Sequence, residues 1–169
     1  MSAAPRHVRV LLVTLALTAL AAGASASSDS KTLRINATVG GRAKLTISPL
    51  TINFPDADPD LVNRIPATEN SVTVTSAMRT GPNEFSDLTC LADGNLVSGP
   101  NTIPISRVSW RAGGAGYRNG TMSAIVPRTA GRWRGPGTMG GTFDFFLLNS
   151  WTYNVGNYTQ TVVYTLTVP

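Results

Sequence analysis

The chain has few of the side chains that most catalysis needs. Of its 169 residues one is a histidine, His7, one is a cysteine, Cys90, and only 14% are charged. His7 also lies in a segment patterned as a secretory signal peptide, so the mature region is expected to hold no imidazole. Arg6, His7 and Arg9 form a basic start, an apolar run extends from Val10 to Ala22, and Ala24-Ser25-Ala26 is a small-x-small cleavage site. That run is too short and wrongly flanked for a spanning helix, and no cysteine follows it to carry a lipid. The expected organisation is a signal peptide at residues 1–26 and one domain at residues 27–169. The product is expected to be secreted, with no transmembrane segment in the mature chain.

Each shortage excludes a class of function. A Ser-His-Asp or Cys-His centre needs an imidazole to take the nucleophile's proton, and structural zinc sites need histidine or several cysteines. A lone cysteine cannot form an intramolecular disulfide. Leu88, Cys90 and Ala92 alternate as one apolar strand face, which reads Cys90 as a small buried residue. A disulfide to another chain would need that thiol exposed. The basic residues stand singly, at Arg42, Arg64, Arg79, Arg107, Arg111, Arg118 and Arg128, with no stripe of the kind that binds nucleic acid. Outside one acidic loop the carboxylates are Glu69, Glu84, Asp87, Asp93 and Asp144, in no paired motif and mostly beside turns. The expectation is a protein that is not an enzyme and has no obligatory cofactor.

Glycine (16 residues), proline (11 residues) and alternating apolar side chains are present in quantity, which favours short strands joined by turns. Leu33, Ile35, Ala37 and Val39 alternate with polar residues as a half-buried strand, broken by Gly40-Gly41. Further alternation runs through Leu45 and Ile47, then Leu50, Ile52 and Phe54, then Val72 and Val74, then Leu88 to Ala92. Asp93-Gly94 is a hairpin dipeptide, and Pro104 consigns Ile103 and Ile105 to an edge or bulge. Val108 and Trp110 come next, then Met122, Ala124 and Val126, a turn-rich stretch from Gly135 to Gly141, and a central strand over Phe143–Leu148. Thr161 to Val168 closes the chain. This spacing predicts an all-β fold, an antiparallel β-sandwich of Ig-like or pilin-like type, with a barrel as the alternative. The expected core is Val72, Val74, Leu88, Val108, Phe143, Phe145, Val162, Tyr164 and Leu166.

Two constellations could carry binding. Asp56-x-Asp58-x-Asp60 places oxygen ligands at alternate positions, as calcium loops do. An EF-hand is excluded because Leu61 occupies the sharp-turn glycine position and Ala67 that of the bidentate glutamate. What remains is a looser Ca²⁺ site at Asp56, Asp58 and Asp60, or a solvated acidic loop shaped by Pro55 and Pro59. Trp133, flanked by arginines, and Trp151 are the candidate aromatic contacts for a glycan.

The last residues, Gly156 to Pro169, resemble the closing strand of bacterial surface β-sandwiches: the spore coat protein U and chaperone–usher pilin group, with the cell-surface WxL domains as an alternative. Gly156 followed by Val162, Tyr164, Leu166 and Val168 is similar to the pilin C-terminal pattern, and Leu50-x-Ile52-x-Phe54 is similar to the opening strand of coat protein U. The segment of Leu33, Ile35, Ala37 and Val39 resembles a pilin N-terminal extension. The chain departs from these families in having no second cysteine, Val168 where pilins carry an aromatic residue, and no literal Trp-x-Leu. The resemblance implies a bacterial cell-surface subunit, in the periplasm, on the outer surface or outside the cell, whose partners are other copies or related subunits. It also implies that Leu33, Ile35, Ala37 and Val39 act as a donor strand. The competing expectations are that this strand pairs within its own sandwich, and that the protein is a monomeric glycan- or cell-wall-binding module.

Overall fold

The computed structural model describes residues 28–169; the signal-peptide reading of residues 1–26 lies outside them. The chain divides into a unit ending at Ala37 and a compact unit from Thr38 to Pro169. The described part of the first unit carries no helix or strand, and its side chains are exposed.

The compact unit is an antiparallel β-sandwich. Its strands are β1 (Arg42–Ser48), β2 (Arg64–Pro66), β3 (Val72–Arg79), β4 (Phe85–Ala92), β5 (Leu96–Ser98), β6 (Asn101–Ile103), β7 (Val108–Gly113), β8 (Gly120–Thr121), β9 (Arg128–Arg134), β10 (Gly137–Leu148) and β11 (Val162–Thr167). The first sheet has the order β1-β3-β10-β7-β8, with β2 pairing the far half of β10; the second has the order β11-β4-β9. A small β5–β6 hairpin turns at Gly99-Pro100 and bridges to the β10–β11 loop between Val97 and Thr159. No helix among the described residues is long and apolar enough to cross a membrane.

Alternation builds the core. Val72, Val74, Ser76 and Met78 of β3 face Ser86, Leu88, Cys90 and Ala92 of β4 across the sandwich, all buried. Phe143 lies between the sheets with no exposed surface and sits edge-on to Trp110, Tyr117 and Phe145 at 5.7–6.3 Å. Such edge-to-face contacts set positive ring edges against negative faces. Val72, Val74, Leu88, Val108, Phe143 and Phe145 are buried as the alternation predicts, whereas Val162, Tyr164 and Leu166 of β11 are only partly buried.

Other local expectations are overturned. Asp93-Gly94 is no hairpin, because β4 pairs with β9 and β11 rather than with β5, and the Asp93 N–H donates to Thr161 O. Leu50 to Phe54 makes no ladder, although Ile52 and Phe54 still pack on the core. Met122 to Val126 is not a strand; the Ser123 hydroxyl accepts the N–H groups of Ile125 and Val126 and bends the chain. The glycine-rich run from Gly137 to Gly141, expected as turn, is strand. A Cβ on Gly141 would come within 2.4 Å of the Tyr117 ring, so this glycine lets Tyr117 lie against β10 and donate its hydroxyl to Met139 O at 2.8 Å.

Candidate functional site

The two long sides of the sandwich are finished differently. On one side the chain sews the sheets together: the Arg118 N–H donates to Ala130 O and the Arg132 N–H to Gly116 O, both at 2.9 Å. These bonds join β9 of the second sheet to the segment between β7 and β8 of the first. Tyr117 plugs that side, its ring 4.8 Å from that of Trp133.

The other side is open. There the edge strands β1 and β11 lie next to each other. Among the described residues, the outer edge of each carries no strand partner. Their inward side chains, Leu45 and Ile47 from β1 and Val162, Tyr164 and Leu166 from β11, pack on the core but stay only partly buried, as do Ile52, Phe54 and Val168. The result is a seam of apolar side chains flanked by two sets of free backbone N–H and C=O groups. An exposed edge of this kind is a template for a further strand. Inside it the Tyr164 hydroxyl is buried, opposite Cys90 in register. Burial pushes the Cys90 thiol up to about 11 and raises the Tyr164 phenol as well.

The segment containing Leu33, Ile35, Ala37 and Val39 forms no ladder, so the expectation of a half-buried strand is not met. Leu33 is 82% exposed, Ile35 83% and Val39 69%. Gly40 and Gly41 both have φ outside the positive region that type I′ and II′ hairpin turns require. Gly41 lies so close to the end of β11 that a Cβ on it would come within 2.9 Å of the Pro169 carbonyl oxygen.

The other sequence-derived candidates fare unevenly. Asp56, Asp58 and Asp60 do not converge, and among the described residues no group of three acidic, histidine or cysteine side chains could hold a metal ion. Asp58 turns its carboxylate back to accept the Asp60 N–H at 2.9 Å, and Asp60 accepts the Trp151 indole N–H at 3.0 Å. Trp133 is buried, 5% exposed, with its indole N–H donated to Ala115 O at 2.8 Å, so it offers no face to a sugar. Its arginine neighbours point outward because side chains alternate along β9. Trp151 is 69% exposed and stands on the acidic loop.

Glu69, Glu84, Asp144 and Asp87 are held in structural pairings. Glu69 accepts from the backbone and side chain of Asn53, which lowers its pKa, and Glu84 accepts from the Thr80 hydroxyl and the Gly81 N–H, which lowers its own. Asp144 accepts from the Ser71 hydroxyl, and Asp87 lies 3.6 Å from Arg132.

Sequence reasoning missed Leu45, Ile47, Ile52, Phe54 and Val168 as parts of a site. Alternation marks such residues as inward-facing but does not tell whether a further strand covers them. No protein-family model matches the chain, and no curated protein matches it significantly.

Proposed function

We propose that this chain is a non-enzymatic structural subunit of a bacterial surface, fimbria- or coat-like, that joins to other copies by strand donation. The supporting observation is the half-buried row of Val162, Tyr164, Leu166 and Val168 at an edge with no strand partner. The same chain carries an exposed strand-forming segment with the matching period, Leu33, Ile35, Ala37 and Val39. At about 3.3 Å per residue that segment spans about 20 Å, the length of the β11 row. In β-strand addition the main chain supplies affinity, and alternate side chains entering pockets supply specificity.

Light scattering on the eluting secreted chain, with and without Lys31 to Val39, tests this. The intact chain is expected to form concentration-dependent oligomers and the truncated chain a folded monomer. An intact chain that stays monomeric at high concentration, with the amides of Leu33 to Val39 protected from hydrogen exchange, would overturn donation in favour of pairing within one copy.

A second reading, a glycan-binding module, is favoured by one observation, the exposed indole of Trp151 over the acidic loop. It requires glycan binding by a monomer that is lost in Trp151→Ala.

A further inference from the structure

The outward face of the first sheet gathers cations that have no acidic partner. Register sets Phe146 of β10 between Pro66 of β2 and Ser109 of β7. Arg64, at the start of β2, reaches across to donate to the Ser109 hydroxyl, and its guanidinium lies 5.3 Å from the centre of the Phe146 ring. Arg111, two positions along β7 and on the same face as Ser109, places its guanidinium 5.5 Å from that centre. The ring stabilises each cation through its quadrupole, but two like charges beside one ring repel. Among the described residues the ion pairs are Lys31–Asp29 and Arg132–Asp87, and neither involves these arginines. Asp144, opposite Arg111 in register, accepts from the Ser71 hydroxyl and forms no ion pair with Arg111.

Beside the arginines the surface carries a shallow, open recess of about 340 Å³, lined by Arg64, Ser109, Arg111, Asn119 and Thr121. Gly120, the register partner of Trp110, leaves room beneath the sheet for the indole, since a Cβ there would come within 2.3 Å of the Trp110 ring. The Asn119 side-chain oxygen accepts the Ala112 N–H at 2.7 Å, which leaves its NH₂ group to donate elsewhere.

We propose that this recess binds an oxyanion, a carboxylate or phosphate, carried on a sugar-sized polar ligand. Guanidinium groups match the planar or tetrahedral geometry of such anions with paired N–H donors. The recess is shallow but wider than one bare anion needs, and the Asn119 amide and Thr121 hydroxyl suit sugar hydroxyls. The site faces outward from the first sheet and stands independently of strand donation.

Titration calorimetry on the secreted chain tests the assignment, with trigalacturonate as the carboxylate probe, glucose 6-phosphate as the phosphate probe and maltotriose as the neutral control. At least one acidic probe is expected to bind and maltotriose not to; which acidic probe binds identifies the source of the anion. Arg64→Gln and Arg111→Gln are each expected to weaken binding about tenfold, the loss of one charge-assisted bond. Arg64→Lys, which keeps the charge but loses the fork, should fall between them and the unmodified chain. Arg79→Gln, the same change of net charge on β3, should have no effect. Equal weakening by Arg79→Gln would overturn the proposal as diffuse charge attraction, and so would failure of both acidic probes to bind at millimolar concentration.

Discussion

At the residue scale the interior depends on where side chains are missing. Trp133 enters the core because Gly131 and Gly116 leave room for its ring; a Cβ on either would come within 2.3 Å of the indole. Gly131→Ala is therefore expected to destabilise the fold by about 1–3 kcal/mol through overpacking. Gly140→Ala, where nothing lies within 4 Å, should not destabilise it; urea unfolding of the two variants makes the comparison. Cys90 gives a pH prediction of definite sign. Its thiol ionises near 9.0 when unfolded and about 11 when folded, because burial penalises the thiolate. Across that window the unfolded chain gives up a proton that the folded chain keeps. This contribution to stability is complete below pH 9 and is lost as pH rises toward about 11. Unfolding free energy followed across the window should decline, and less steeply in Cys90→Ala. The buried phenols of Tyr117 and Tyr164 are also raised, so some decline is expected to remain in that variant.

At the scale of elements, β11 and the segment from Leu33 to Val39 carry the same alternation and end in different states. Val162, Tyr164 and Leu166 pair with Ala92, Cys90 and Leu88 of β4, whereas Leu33, Ile35 and Val39 remain exposed. Ile35→Asp is expected to abolish oligomers while leaving the melting temperature of the compact unit unchanged at dilutions where the unmodified chain is also monomeric, since Ile35 precedes that unit; light scattering and thermal melts read the two effects. Burying such a side chain is worth about 1.5–3 kcal/mol, enough to decide a contact made by few residues. The strands at Val72, Leu88, Val108 and Phe143 were legible because a period of two survives wherever one face is buried. Pairing was not. Asp93-Gly94 has hairpin chemistry, yet the partner of β4 arrives from the far end of the chain as β11. Gly141 of β10 read as turn because the ring that lies against it, Tyr117, is distant in sequence. Trp133 read as a candidate for exposure for a related reason: its arginine neighbours are polar, but in a strand neighbours face the other way.

At the scale of the whole molecule the sandwich is lopsided, sewn shut by Tyr117 and Trp133 along one side and open between β1 and β11 along the other. Half-buried apolar rows and unpaired edges invite association. The account holds that a strand from another copy completes this one. The most direct measurement is calorimetric titration of a peptide comprising Lys31 to Val39 into a chain that begins at Gly40, with hydrogen exchange followed at the β11 amides. The account predicts saturable one-to-one binding, slowed exchange across Val162–Thr167, and no binding by the same peptide carrying Ile35→Asp. A peptide that fails to bind, with β11 exchange unchanged, would contradict it.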